Sequence, residues 1–301
     1  MEQRKYGNTD MTVSVLGFGG AQIGFQNADT ARVDSLLGSA LDAGLNVIDT
    51  AECYKNSEEL IGQTVSHRRG DYYLFTKCGH ASGLELPNWH PAMLEMSIDR
   101  SLKRLRTDYI DLIHLHSCSE EVLRQGEAIE VLERAKEKGK VRYIGYSGDH
   151  RAALYAVNTG RFDSLMTSFN IADQEALDEI IPEAAKRGMG VVVKRPVANV
   201  AWRHRTEPDP KAYEHAYWGR LQQLDYPFLR AGAGIPETVG HALRYTLTAS
   251  GVHTAIVGTA NPERWKENAR LLQAGALPPD EFAAIRERWQ HTAKSDWIGL
   301  E

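Results

Sequence analysis

The chain has 301 residues, a length that at roughly 150 residues per domain allows two ordinary domains or one large α/β barrel. Hydrophobic residues make up 42% and charged residues 25%, an ordinary globular balance that excludes extended disorder. A net charge of -5, from 35 Lys+Arg against 40 Asp+Glu, with no basic cluster, argues against a nucleic-acid partner. No apolar run approaches the roughly 18 to 20 residues of a membrane helix, and the opening Met1-Glu2-Gln3-Arg4-Lys5-Tyr6 has no apolar signal core. A cytoplasmic protein with no membrane partner is therefore expected. Cys53, Cys78 and Cys118 cannot all pair with one another and show no CxxC spacing, which fits a reducing compartment and offers no structural zinc motif.

Along the chain, Val13-Ser14-Val15-Leu16 reads as the first strand. In the next segment Val33, Leu36, Leu37, Ala40 and Leu41 have helical spacing, Gly44 supplies a left-handed stop, and Leu45-Asn46-Val47-Ile48 reads as a strand. Tyr72–Phe75 and Ile110–Ile113 are the third and fourth strands. The helix, glycine, strand order then recurs: Gly139 before Val141–Ile144, Gly160 before Phe162–Met166, Gly188 before Val191–Val193, and Gly251 before His253–Val257. Eight strands alternating with helices predict an α/β fold, a (β/α)8 barrel of the TIM type, as one domain over 1–301. An N-terminal β-hairpin is expected ahead of it and an extended loop after strand 7. The competing open doubly wound sheet would carry a dinucleotide fingerprint, and Leu16-Gly17-Phe18-Gly19-Gly20-Ala21-Gln22-Ile23-Gly24 does not fit G-x-G-x-x-G. The stretch from Ala198 to Ile235 reads as irregular; it carries Trp202, Tyr213, Tyr217, Trp218, Tyr226 and Phe228, and either covers a site or packs its own small core.

Barrel chemistry sits at the carboxyl ends of strands. Asp49 ends the second strand, Tyr54 follows it, Lys77 ends the third and His116 the fourth. Each alone has an ordinary structural reading as cap, packing group, solvated ammonium or core imidazole. Together they form a device in which the carboxylate holds the ammonium, and the ammonium lowers the phenol pKa so that it can donate a proton near neutral pH. The histidine would orient a carbonyl oxygen. Lacking a nucleophile or a metal, such a set suits hydride delivery from a bound cofactor. His114 and His116 also form an H-x-H pair of the kind used by metal-dependent hydrolases, but strands 5 to 8 end in Ser147, Ser168, Lys194 and Thr259 and offer no further ligands.

Asn46-Val47-Ile48-Asp49-Thr50-Ala51-Glu52-Cys53-Tyr54-Lys55-Asn56-Ser57-Glu58 resembles the strand 2 signature of the aldo-keto reductase family, Leu74-Phe75-Thr76-Lys77 its strand 3, and Asp108–His116 its strand 4 motif. The resemblance runs over essentially the whole chain and implies Asp49, Tyr54, Lys77 and His116 as catalytic residues. It implies an NADPH-dependent reductase acting on a small-molecule aldehyde or ketone, with Tyr54 as general acid and NAD the alternative cofactor. Val141–Ser147 resembles the motif whose serine, here Ser147, contacts the nicotinamide carboxamide. Three positions depart from the family pattern: Gly148 for asparagine, Met166 for glutamine, and Lys194 for a stacking tyrosine. Ile256–Asn268 is similar to the adenosine-phosphate segment. The implied cofactor contacts are Gly20, Ser147, Lys194, Arg195, Asn199, Thr259, Arg264, Glu267 and Asn268. Arg264 would bind a 2'-phosphate and favour NADPH, although the basic residue many members carry at Gly258 is absent. A nucleotide-sensing subunit with little catalysis is the reading from a different class.

Overall fold

The computed structural model describes residues 1–230 and 234–300. The helix-stopping glycines behave as their positions require: Gly44 has φ 90° and Gly160 φ 66°, a left-handed turn that costs a residue with a Cβ but not glycine. After each such turn the chain enters a strand. Two short strands, β1 (Gln3–Lys5) and β2 (Thr12–Ser14), form the antiparallel N-terminal hairpin. Eight more follow: β3 (Leu16–Gly19), β4 (Val47–Asp49), β5 (Tyr73–Cys78), β6 (Ile110–His116), β7 (Val141–Ser147), β8 (Ser164–Ser168), β9 (Gly190–Lys194) and β10 (Thr254–Gly258). They pair in parallel in chain order and β10 closes on β3, which completes the barrel. The TIM-type architecture expected from the sequence is what the chain forms.

One strand differs from expectation. Val13 and Ser14 belong to the hairpin, and the barrel strand is the glycine-rich Leu16–Gly19. Glycine is a poor strand former, but here it suits close packing: a Cβ on Gly17 would lie 3.2 Å from Ile256 and Val47 side-chain atoms, which would have to give way by a few tenths of an ångström. The stretch after β9 also differs, because it is largely helical. It contains a 3-10 turn (Ala198–Arg203) and helices His215–Leu224 and Pro227–Arg230; residues 231–233 of this stretch lie outside the described residues. It is pinned by Trp202 Nε1 donating to Thr238 Oγ1 (2.9 Å) and by Trp218 Nε1 donating to the His204 carbonyl (3.0 Å).

The apolar faces of the outer helices, such as Val33, Leu36, Leu37, Ala40 and Leu41 on Thr30–Asp42, bury against the strands, at about 1.5–3 kcal/mol for each large side chain removed from water. A second apolar cluster fills the barrel itself: Tyr6, Met11, Val13, Val47, Phe75, Leu112, Met166 and Val192. Residues of the hairpin and its turn thus plug the interior. Beside this cluster Ser164 Oγ meets both Tyr6 Oη (2.6 Å) and His114 Nε2 (3.1 Å). Gly145 makes room for that imidazole, since a Cβ there would lie 2.5 Å from His114 Cδ2. Among the described residues no helix is long and apolar enough to cross a membrane.

Candidate active site

Parallel register brings the predicted groups to one end of the barrel. Asp49 pairs with Phe75 across β4 and β5, Lys77 with His114 across β5 and β6, and His116 with Ser147 across β6 and β7. Because side chains alternate, Lys77 and His116 both face inward, one layer apart. Lys77 Nζ donates to Asp49 Oδ2 (2.6 Å) and to the Thr50 carbonyl (2.7 Å), with both side chains buried. The same ammonium stands 5.1 Å from the Tyr54 ring centroid, and the Tyr54 and His116 rings meet edge to face at 6.0 Å. Tyr54 is carried on a turn that packs against Gly24, where a Cβ would lie 2.0 Å from the Tyr54 carbonyl oxygen. All four groups named from the sequence therefore converge.

Their electrostatics differ from expectation in one respect. Burial pushes the Tyr54 phenol above its ordinary value, and the opposing pull of Lys77 does not overcome it. The sequence-based lowering is therefore not found, because a neighbour's identity is legible in sequence while its desolvation is not. Burial works against the Lys77 charge, but Asp49 more than compensates and holds the ammonium protonated. Burial, followed by the nearby Lys77 charge, holds His116 well below the usual imidazole range, so its ring is neutral. Behind Tyr54, the buried Glu52 accepts from the Gly79 N–H (2.8 Å) and lies 3.4 Å from Arg100; burial lifts its carboxyl to about 7.

The residues assigned to a cofactor fall into three groups. At the ends of β7 to β9, Ser147 is buried and Lys194 Nζ pairs with Asp149 Oδ2 at 2.8 Å. Arg195 donates to Ser168 Oγ (3.0 Å), to Tyr213 Oη (2.5 Å) and to the Leu300 carbonyl. Asn199 has φ 54° and donates to the Tyr213 carbonyl at 3.2 Å. After β10, the Asn261 side chain caps helix Pro262–Leu271, Thr259 Oγ1 accepts from Asn261 N (3.0 Å), and exposed Arg264 pairs with Glu267 at 2.9 Å. Asn268 is buried on the same helix. Gly20 stands apart from both groups: it is packed beneath Asp49, where a Cβ would lie 2.7 Å from Ser57 Oγ and 3.0 Å from the Asp49 carbonyl oxygen.

Sequence reasoning missed Asp149. Its carboxylate also accepts from Thr167 Oγ1 (2.8 Å) and Ser168 N (2.6 Å), and burial, which opposes its charge, is outweighed by Lys194 and these donors, so its carboxyl lies below the usual range. No local signal marks it, since its partners come from two later strands. The tail joins this end of the barrel. Trp297 packs on Trp289 with ring centroids 5.6 Å apart, Arg220 donates to the Ile298 carbonyl (2.7 Å), and Gly299 N donates to Glu175 (3.1 Å). A Cβ on Gly299 would lie 2.3 Å from Asp149 Cβ, so the tail folds over the ends of β7 to β9. A cavity of about 610 Å³ lies elsewhere, lined by Tyr226, Phe228, His241, Ile285 and Arg288 among others, and none of the four convergent residues reaches it. His114 is bound into the barrel interior by Ser164 and does not join His116 in a ligand pair.

Comparison with known proteins accounts for this arrangement. The solved structure of the aldo-keto reductase AKR11C1 from Bacillus halodurans, in its holo form, superimposes with a TM-score of 0.83 at 28% identity, the match covering 99% of each chain. The uncharacterized oxidoreductase YqkF of Bacillus subtilis is 29% identical over 95% of this chain and 96% of its own length. The NADH-specific methylglyoxal reductase of Escherichia coli is 30% identical over 96% of this chain and 100% of its own. The model of the aldo/keto reductase family matches residues 15–290. With that match running from the first barrel strand into the last helix, and a closed eight-stranded barrel carrying the convergent groups at its strand ends, the chain belongs to the aldo/keto reductase family of oxidoreductases.

Proposed function

We propose that the protein is an NADPH-dependent reductase that converts an aldehyde or ketone to an alcohol, with Asp49, Tyr54, Lys77 and His116 as its catalytic groups. The observation that carries this reading is the buried Lys77 ammonium, fixed by Asp49 at 2.6 Å and set 5.1 Å from the Tyr54 ring beside a neutral His116. Reduced nicotinamide, when bound, supplies the hydride that reduces the carbonyl carbon and is itself oxidised. Tyr54 supplies the proton: its phenol, kept protonated by burial, donates to the carbonyl oxygen as negative charge develops there. The resulting phenolate is stabilised by Lys77, whose charge Asp49 maintains. His116, neutral at working pH, orients the carbonyl oxygen by hydrogen bonding.

The donor set fits a dinucleotide. The helix beginning at Pro262 presents its N-terminus with Thr259 and Arg264 beside it, an arrangement suited to phosphate, and Glu267 and Asn268 follow on the same helix. Ser147, Lys194, Arg195 and Asn199 would hold the nicotinamide half and the pyrophosphate, with Gly20 acting through the backbone beneath Asp49. Because one relative is named as NADH-specific, the preference for NADPH rests on Arg264, whose guanidinium can take a 2'-phosphate bidentately.

Fluorescence titration with NADPH and NADH, followed by a carbonyl panel, tests the reading. Tyr54→Phe should lower turnover by about 10²–10⁴-fold while nucleotide binding persists; full turnover in this variant would refute the assignment. The nucleotide-sensing reading is kept by the Lys194–Asp149 ion pair and by Met166, which faces the apolar barrel interior where the family carries a glutamine. Tight nucleotide binding without oxidation by any carbonyl would favour it.

A further inference from the structure

Cys53, His80 and His116 meet at the mouth of the barrel. One ligand atom from each lies within 4.8 Å of the other two, and all three side chains are partly exposed. Cys53 Sγ stands 3.6 Å from His116 Nδ1, and the His80 and His116 rings meet edge to face with centroids 4.9 Å apart. A tetrahedral zinc ion with bonds of ~2.3 Å to sulfur and ~2.0 Å to nitrogen holds those two atoms about 3.5 Å apart. The sulfur to nitrogen edge is therefore already at the separation a bound ion requires, and the His80 ligand atom, within 4.8 Å of the other two, stands ready to complete a three-ligand face.

The cluster is also held in place. The buried Glu52 carboxylate accepts from Gly79 N at 2.8 Å, and Glu52 N donates to the Lys77 carbonyl at 3.3 Å. Cys53 and His80 are each the residue directly after a partner in that Glu52 to Gly79 bond, so it fixes the two ligand-bearing turns against each other. Trp89 braces the other side, with Nε1 donating to the His116 carbonyl at 3.0 Å and its ring 5.6 Å from that of His80.

We infer that Cys53, His80 and His116 form a binding site for a soft or borderline divalent cation of the zinc class, with a fourth position open to water or an added ligand. One thiol and two imidazoles select zinc or cobalt over magnesium or calcium, which prefer oxygen donors. Binding exchanges one proton: the Cys53 S–H bond breaks, the thiolate forms the metal–sulfur bond, the proton passes to solvent, and nothing is oxidised or reduced. Coordination through His116 Nδ1, the nitrogen facing Cys53, leaves the neutral ring with its proton on Nε2. The site stands on its own geometry and does not depend on the proposed carbonyl reduction, although it shares His116 with it.

The test is titration of the purified protein with cobalt and zinc chlorides, read by absorbance and calorimetry rather than by turnover. The expected result is one ion per chain at micromolar metal, a thiolate-to-cobalt charge-transfer band in the near ultraviolet, and intense visible bands of a four-coordinate ion that zinc abolishes and magnesium does not. Cys53→Ser should remove the charge-transfer band, and Cys53→Ser and His80→Ala should each weaken affinity by at least about tenfold, with circular dichroism confirming that both fold. Absence of the thiolate band in the unmodified protein, or equal metal affinity in the folded variants, would overturn the proposal.

Discussion

Replacing Lys77 with methionine removes the ammonium and keeps most of the side-chain volume, so the structural question becomes what the buried Asp49 does without it. Asp49 is 1% exposed, its Oδ2 is held by Lys77 at 2.6 Å, and its Oδ1 has no hydrogen-bond partner among the described residues. Leaving such a charge unpaired costs about 3–5 kcal/mol. The protein can escape by protonating the carboxyl. From an unfolded-state value of about 3.9, protonation costs about 1.36 kcal/mol per pH unit, or about 4 kcal/mol at pH 7 and about 1.5 at pH 5. The sign follows from the raised folded-state pKa of the unpaired carboxyl: the penalty is absent below the unfolded value and grows as pH rises. A further loss, independent of pH, comes from the Thr50 carbonyl, which also accepts from Lys77, at about 1–3 kcal/mol. With an unfolding entropy of about 2.1 cal/mol/K per residue, the pH-dependent part widens the gap in thermal midpoint between Lys77→Met and the parent by at most about 4 °C from pH 5 to pH 7, since burial already raises the Asp49 carboxyl in the parent. Scanning calorimetry at both pH values reads this directly. Adding Asp49→Asn should remove the widening. A gap that does not change with pH, or that persists unchanged in the double variant, would refute the argument that Lys77 exists to satisfy Asp49 in the absence of substrate.

Other expectations follow from separate parts of the molecule. Arg264→Ala should weaken NADPH binding by about ten- to a hundredfold, the worth of charge-assisted hydrogen bonds, and leave NADH binding nearly unchanged; equal losses in a fluorescence titration would remove the 2'-phosphate role. Asp173 is buried, its Oδ1 has no hydrogen-bond partner among the described residues, and burial followed by the nearby Asp149 charge raises its carboxyl to about 7. Its folded pKa exceeds the unfolded one, so the folded state keeps the proton longer and loses stability as pH rises from about 4 to about 7. Asp173→Asn should therefore gain in thermal midpoint relative to the parent across that range and then level off above it; a constant difference between pH 5 and pH 8 would contradict the assignment.

Much of the fold is legible in the sequence because its signals are local. Helix-closing glycines (Gly44, Gly139, Gly160, Gly188 and Gly251) mark where five of the eight barrel strands are about to begin, and they do so whatever the tertiary context. The exception is instructive: Val13, Val15 and Leu16 look like a strand, yet the barrel takes Leu16–Gly19, where Gly17 packs closely between Val47 and Ile256. That constraint comes from strands far along the chain, and a propensity argument points the other way. The site divides in the same manner. Asp49, Lys77 and His116 each sit at a predicted strand end and Tyr54 on the loop directly after one, so strand placement brings them together. Asp149 against Lys194, the tail folded over Arg195, and His80 beside Cys53 depend on loop paths that no pattern encodes. His114 and His116 look equivalent in sequence, and only the layer each occupies separates a core imidazole bonded to Ser164 from one at the mouth.

The central claim is that this chain delivers hydride from a nicotinamide to a carbonyl carbon while Tyr54 protonates the oxygen. It is tested most directly by incubating the purified protein with NADPH deuterated at nicotinamide C4 and a panel of aldehydes and ketones, then analysing the alcohols by mass spectrometry. The account predicts one deuterium on the carbinol carbon of at least one product, with the yield collapsing in Tyr54→Phe. Alcohol formed without the label, or labelled product at an undiminished rate in that variant, would contradict it.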